Sequence, residues 1–178
     1  LEQLQPVLEQ IRQQGVPNYF GEQRFGHDGH NVSSGLAMLR GEFKVKNRTK
    51  RSLYLSAVRS LLFNQVLARR IDELGWPASM PGDVLDEQGL ATAPLFGRGR
   101  LTTTAYALAL GTRVTAGYAE ACHGLEHAGL KQERRAVVAQ PMQLQWQRPQ
   151  ADELTLSLLL APGYYAAYIP RYLDQFAR

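Results

Sequence analysis

Cysteine is almost absent. Of 178 residues only Cys122 carries a thiol, so no disulfide framework braces the chain and a reducing, cytoplasmic setting is the expectation. Long apolar runs are missing as well: none approaches the ~20 residues of a membrane-spanning helix, and no signal-peptide pattern opens the sequence. No glycine loop is followed by Lys-Ser or Lys-Thr and no Gly-x-Ser-x-Gly elbow occurs, which removes the P-loop and serine-hydrolase readings. Internal repeats and low-complexity segments are lacking. Charge of neither sign dominates: 20 Lys and Arg stand against 16 Asp and Glu, and the resulting +4 permits contact with a polyanion without demanding it. What remains, 44% hydrophobic and 20% charged, is globular in composition. It is enough for one ordinary domain or for two small pieces of a larger one. The first residue is Leu1, already in helical pattern, and the expectation is a piece of a longer polypeptide.

Periodicity supplies a coarse map. Leu1, Leu4, Leu8 and Ile11 fall at helical spacing, with Gly15 where a C-terminal cap belongs. HDGHNVSS reads as a polar loop and Gly35 to Arg40 as a short helix. Leu55, Val58, Leu62 and Val66 share one face of a long helix over about Ser52 to Leu74, ended by Gly75 with Pro77 beyond. Met80 to Arg100 is turn-rich. A second helical region runs from about Thr103 to His127, weakened by Gly111 and Gly117. Strands are predicted at Ala136 to Ala139 and Glu153 to Leu160, and the tail reads as a turn and a helix that Pro170 kinks or starts. The class is α+β, a helical middle between strand-bearing ends.

On its own residues the chain shows no catalytic set. His27, Asp28 and His30 are the obvious metal candidate, but the loop does not converge them and no third cluster completes a closed site, so a solvated loop is the reading and no metal is expected. Cys122 beside His123 resembles a thiol nucleophile, yet helix neighbours point in different directions, and a buried structural cysteine is favoured. The basic residues say more. Lys44, Lys46, Arg48, Lys50 and Arg51 lead into the long helix, which also carries Arg59, Arg69 and Arg70; Arg98 and Arg100 lie in a glycine-flanked turn that lets backbone approach a ligand. Such groups neutralise phosphates and flanking aromatics stack on unpaired bases. A merely solvated basic surface is the equal alternative from charge alone.

The run VPNYFGEQRFG, Val16 to Gly26, has neither helical nor strand alternation, so packing alone does not explain it. Arg24 sits between Gln23 and Phe25, where a half-buried guanidinium needs partners and suits carboxylate or phosphate. This run resembles the PNYFG-x-QRFG signature of the TruD family of tRNA pseudouridine synthases. KRSLYLSAVRSLLFNQVLARRI is similar to the family's next block, with Arg59 and Asn64 at its Arg-Ser and Leu-Phe-Asn positions. GLEHAGLKQERRAVVAQPMQLQW and LLLAPGYYAAYIPRYL resemble its two later blocks. Four blocks in one order span nearly the whole chain.

The resemblance implies an isomerase that turns a uridine of tRNA, position 13 in bacterial members, into pseudouridine without metal or organic cofactor. An aspartate attacks a flipped-out uridine, and the base is detached, turned and rejoined through carbon. It further implies a mainly helical insertion domain over residues 15–139, with residues 1–14 and 140–178 belonging to the catalytic domain. Tyr165, after Gly163, matches the family's aromatic beside the target nucleotide. Asn18, Gln23 and Arg24 are the polar groups and Tyr19, Phe20 and Phe25 the apolar wedge where the family's two domains meet at the RNA cleft. Substrate binding is thus expected at Tyr165, Gly163, Asn18, Phe20, Gln23, Arg24, Phe25, Arg59 and Asn64, with tRNA as partner and no membrane.

Departures matter too. The family's nucleophilic aspartate lies in a Lys-Asp motif that none of these 178 residues reproduces, so the chain alone is expected to be inactive and the nucleophile is expected upstream. Family members carry a longer segment where PGDVLDEQGLATAPLF runs here, and a break in the chain near Asp86–Glu87 is expected. Ala167 replaces the usual threonine, and Pro170 falls within the last helix, with Arg171 still in register. A non-catalytic RNA-binding module and a helical protein-interaction domain stand as alternatives.

Overall fold

A computed structural model describes residues 4–150, 153–161, 164, 169–170 and 173. Two compact units emerge, residues 1–18 with 138–178, and residues 19–137. The fold is α+β.

The terminal unit begins with α1 (Leu4–Gln14), which buries Val7, Leu8 and Ile11 on one face. Its periodicity persists because Gly15, at φ +70°, donates its N–H to the Ile11 carbonyl and ends the helix in a left-handed turn. The short strands β1 (Val16–Pro17) and β5 (Val138–Ala139) then pair antiparallel. A second antiparallel pair joins β6 (Met142–Gln147) to β7 (Thr155–Leu159). Arg12 lies 5.5 Å from the Trp146 ring centroid, and its carbonyl accepts from Gln140 Nε2 at 2.8 Å. In the tail, helical residues Ile169 and Pro170 are described; the turn at Gly163 and Tyr165, Ala167 and Arg171 lie outside the described residues.

The central unit is built on α3 (Arg48–Leu74), 27 residues long. Tyr54, Leu55, Ala57, Val58, Leu62, Phe63, Val66 and Leu67 are buried along it, each large one worth about 1.5–3 kcal/mol of burial. The helix starts four residues before Ser52. Asn47 Oδ1 accepts from the Lys50 N–H at 2.9 Å, and this cap draws Arg48 to Arg51 into the first turn despite their charge. Ahead of it lies α2 (His30–Leu39), and here the expected polar loop is corrected. HDG forms a 3-10 turn and HNVSS is helical, since Ser33 satisfies the His30 carbonyl at 3.1 Å and the N-terminal turn is pinned by Asn31 N–H to Phe25 O at 2.9 Å.

The turn-rich segment after α3 hides a sheet. Strands β2 (Val84–Leu85), β3 (Ala91–Leu95) and β4 (Glu133–Ala136) form it in the order β2-β3-β4. Pro94 is tolerated in the middle strand because β2 pairs only with Ala91 and Thr92 and ends before it. The break expected at Asp86–Glu87 is absent. Asp86 and Gly89 close a turn by a 3.0 Å main-chain bond, and Asp86 Oδ1 accepts from the N–H groups of Gln88 and Leu90. The second helical region divides into α4 (Ala105–Thr115) and α5 (Ala119–His127) across a 3-10 turn at Ala116–Tyr118, where Gly117 stands. No helix among the described residues is long and apolar enough to cross a membrane.

One ion pair locks α3 to the sheet. Arg70 Nη1 and Nη2 donate to the two Asp83 oxygens at 2.8 and 2.6 Å, Nη2 also reaches the Ala78 carbonyl, and Asp83 accepts from the Met80 N–H. Both side chains are only 4% exposed. Removing either partner strands a buried charge. Asp83→Ala is therefore expected to lower the unfolding free energy by about 3–5 kcal/mol in urea titration, whereas Arg40→Ala, at the exposed Arg40–Glu42 pair, leaves the midpoint nearly unmoved.

Candidate nucleic-acid interface

The run from Tyr19 to Gly26 has a fold of its own. Its 3-10 turn places Arg24 N–H on Gly21 O and Phe25 N–H on Glu22 O, at 3.0 and 2.8 Å. Asn64 of α3 grips the loop by both main-chain groups of one residue: Oδ1 accepts from Phe20 N–H at 2.9 Å and Nδ2 donates to Phe20 O at 3.0 Å. The Phe20 ring meets Phe63 edge-on at 5.5 Å. The guanidinium carbons of Arg135 and Arg24 lie 4.1 and 5.5 Å from its centroid. Arg24 Nη1 also donates to Ser56 Oγ at 3.0 Å. Each cation over an aromatic face is worth about 0.5–2 kcal/mol. The loop is thus a rigid plate pinned to α3, with Gln23 exposed and Arg24 and Phe25 half-buried.

Arg59, one turn along α3 from Ser56, faces inward. Its side chain is 12% exposed, and Nη2 donates to the carbonyls of Leu95 and Lys131, each at 3.0 Å, with Glu133 Oε2 at 3.3 Å. Burial pulls its pKa below the usual arginine range, opposed by the Glu133 charge. By holding those two carbonyls it fixes the roots of two segments, 96–102 and 130–134. They zip together through Arg98 N–H to Leu130 O at 2.7 Å and Gln132 N–H to Arg98 O at 3.0 Å. The approach is close enough to require glycine at 97, where a Cβ would stand 2.7 Å from the Leu130 oxygen.

Between the zipped segments opens a cavity of about 390 Å³, lined by Arg98, Gly99, Arg100, Thr102, Lys131, Gln132 and Arg134. Its wall holds four cations and no carboxylate. Arg134 forms the floor: Nε and Nη2 donate to Thr92 Oγ1 and O at 2.7 and 2.6 Å, and burial lowers its pKa while the Asp83 charge opposes. Arg98, Arg100 and Lys131 are exposed and make no side-chain hydrogen bond or ion pair among the described residues. Cations so placed repel one another, and an anion entering between them relieves that repulsion while gaining charge-assisted hydrogen bonds.

The other basic residues are dispersed. Lys44, Lys46 and Arg48 are exposed, the Lys50 ammonium is 5.7 Å from the Tyr54 ring, Arg51 donates to the Ala128 carbonyl, and Arg69 pairs with Glu73. Asn18 is buried in the terminal unit, and Tyr165 and Gly163 fall outside the described residues. His27 pairs with Asp28 at 2.9 Å while His30 turns to Ser34 and Tyr54, so the three do not converge. Cys122 is half-buried rather than buried, and burial, followed by the Glu126 charge, raises its thiol pKa, which keeps it protonated near neutrality. Sequence reasoning assigned no role to Lys131, Arg134 or Arg135. Their signal was the alternation of adjacent arginines along a strand, which sends one to each face.

A family profile described as "tRNA pseudouridine synthase D (TruD)" matches residues 1–49. The chain is 39% identical over 191 residues to tRNA pseudouridine synthase D of Shewanella oneidensis, covering 95% of this chain and 51% of that one. It is 40% identical over 195 residues to the protein of the same name from Aeromonas salmonicida, covering 97% and 55%. The chain spans about half the length of the curated relatives it matches. A crystal structure of a TruD-assigned protein from Methanosarcina mazei superposes with a TM-score of 0.62 over 97% of this chain and 63% of that one; at 17% identity the likeness concerns the fold alone.

The Asn64 grip carries its own test. Asn64→Ala removes both bonds to Phe20, and a loss of about 1–3 kcal/mol is expected from the part-buried groups left unpaired. Hydrogen exchange at the Phe20 amide should accelerate in that variant, while amides in the middle of α3 slow to exchange in the wild type stay protected.

Proposed function

Because the chain belongs to the TruD family of tRNA pseudouridine synthases, we propose that it forms part of an enzyme that isomerises a uridine of tRNA, at position 13, to pseudouridine. The observation that carries the reading for these residues is the cavity walled by Arg98, Arg100, Lys131 and Arg134, which is shaped and charged for a phosphate of the RNA backbone. Residues 15–139 act as the insertion domain that grips tRNA, and residues 1–14 and 140–178 as part of the catalytic domain. The compact central unit of residues 19–137 supports such an insertion, with residues 15–18 and 138–139 grouped with the terminal unit. The setting is cytoplasmic.

In this reading the chain's residues bind and orient, and the nucleophilic aspartate comes from the Lys-Asp motif of the family, which these residues do not contain. Gln23, exposed, and Arg24 and Phe25, half-buried, belong to the plate that Asn64 pins to α3, and they meet the nucleotides beside the target. Tyr165, following Gly163, stacks against the extruded base, replacing the stacking that the uridine loses on leaving the RNA helix. Asn18 belongs to the same proposed substrate-binding set. Arg59 contributes indirectly, by fixing the carbonyls of Leu95 and Lys131 from which the phosphate-binding segments spring.

The test uses the full-length protein and a tRNA transcript, with pseudouridine read by carbodiimide-dependent primer-extension stops. The expected result is a stop at the target uridine. Arg98→Ala, Arg100→Ala and Lys131→Ala should each weaken tRNA binding, and their combination should reduce the slope of log affinity against log salt by about 0.7–0.9 for each phosphate the protein no longer neutralises. Turnover at saturating tRNA should be little changed. Binding without isomerisation would point instead to a non-catalytic RNA module, and unchanged affinity in the triple variant would remove the cavity from the interface.

A further inference from the structure

The chain contains four histidines, and two of them meet a carboxylate on α5. His123, Glu126 and His127 occupy positions i, i+3 and i+4, the spacing that brings side chains onto one helix face. We propose that these three residues form a binding site for a divalent transition-metal ion of the zinc, nickel and copper class. One ligand atom from each lies within 4.8 Å of the other two, and all three side chains are exposed. A tetrahedral ion with bonds of ~2.0–2.1 Å needs its ligands about 3.3 Å apart. Rotation of the exposed His123 and Glu126 side chains supplies the difference without moving the backbone.

The hydrogen bonding of His127 prepares it for such a role. Its Nδ1 lies 2.9 Å from the carbonyl oxygen of His123. A carbonyl only accepts, so Nδ1 carries the proton and the Nε2 lone pair of the neutral ring is left for a metal. Main-chain carbonyls orient metal-bound imidazoles in this way, fixing both tautomer and ring plane. The His123 and His127 rings stand 4.3 Å apart between centroids, side by side along the helix.

Electrostatics agree with a cation here. The cluster lies in the last turns of α5, where carbonyls without helical partners give the end of a helix its partial negative charge. Glu126 adds a full negative charge and forms no ion pair among the described residues. Opposing this, Lys44 and Arg51 line the cavity whose wall includes His123 and His127, although Arg51 is tied to the Ala128 carbonyl. Two imidazoles and one carboxylate suit zinc, nickel or copper rather than magnesium or calcium, which prefer all-oxygen shells. Three protein ligands leave a coordination position for water or another group, the pattern of an open site. His27 and His30 form no such cluster, which makes them the internal control.

The experiment titrates zinc chloride into the chain in metal-free buffer and reads heat by calorimetry. Saturable one-to-one binding is expected at micromolar zinc. His123→Ala and His127→Ala should each weaken it about tenfold or more, Glu126→Gln should weaken it severalfold, and the His27→Ala/His30→Ala double variant should bind as the wild type does. The wild-type protein offers a second readout that needs no variant. On zinc addition, the His127 Nε2 resonance should shift in a nitrogen-detected imidazole spectrum while Nδ1 keeps its protonated signature. No saturable heat up to millimolar zinc, unchanged binding after both α5 histidines are replaced, or a shift confined to His27 and His30 would each overturn the site.

Discussion

The central unit depends on what α3 presents along its length. Ser56, Arg59, Phe63, Asn64 and Arg70 project along the helix, and between them they fix three separate pieces of irregular chain. Ser56, Phe63 and Asn64 hold the loop of Tyr19 to Gly26. Arg59 holds the strand ends at Leu95 and Lys131. Arg70 holds Asp83 and, through it, the approach to β2. A helix of 27 residues is a rod of about 40 Å, and its buried apolar face keeps it from bending away from any of these contacts. Loops that would otherwise be mobile therefore inherit the stiffness of the helix, which a surface that recognises another molecule needs in order to lose little entropy on binding.

The arginines divide by that same constraint. Arg59, Arg70 and Arg134 are spent on carbonyls, hydroxyls and a buried carboxylate, while Arg98, Arg100 and Lys131 stand at the surface with their charges unmatched. Composition counts both groups alike. The buried ones meet a desolvation cost that lowers the pKa of Arg59 and Arg134, and they remain in place because several acceptors converge on each guanidinium fork. The exposed ones repel one another and gain by meeting an anion. Structural cations thus build the frame on which the free cations are displayed.

Much of this was legible in the sequence and some was not. The long helix, its stop at Gly75 and the cap at Gly15 followed from apolar spacing and glycine, because tertiary contacts there reinforce the local preference. The start of α3 was obscured by a run of cations, whose repulsion local reasoning weighs more heavily than one well-placed Asn47 cap. Strand β3 was hidden by Pro94, which argues against a central strand unless the neighbour is known to be short. Strand β6 was missed although Met142, Leu144 and Trp146 alternate with glutamines, a pattern of period two in plain view. The α5 cluster is obscured for a different reason: His123, Glu126 and His127 are not adjacent, and only the spacing of three and four on a helix converts them into neighbours.

The position of the free charges rests on strand register. In the pairing of β3 with β4, Ala93 faces Arg135 and Pro94 faces Arg134. Successive side chains of a strand leave opposite faces, so Arg135 reaches the rings of Phe20 and Phe63 while Arg134 enters the basic cavity over Thr92. A slip of one residue would exchange the two arginines, setting the wrong side chain against the aromatic plate and emptying the cavity floor. That slip is opposed at both ends of the ladder: Arg59 takes the carbonyls of Leu95 and Lys131 as a pair at one, and Val137 donates to Ala91 at the other. The aromatic plate and the anion cavity therefore draw their arginines from opposite faces of one registered strand.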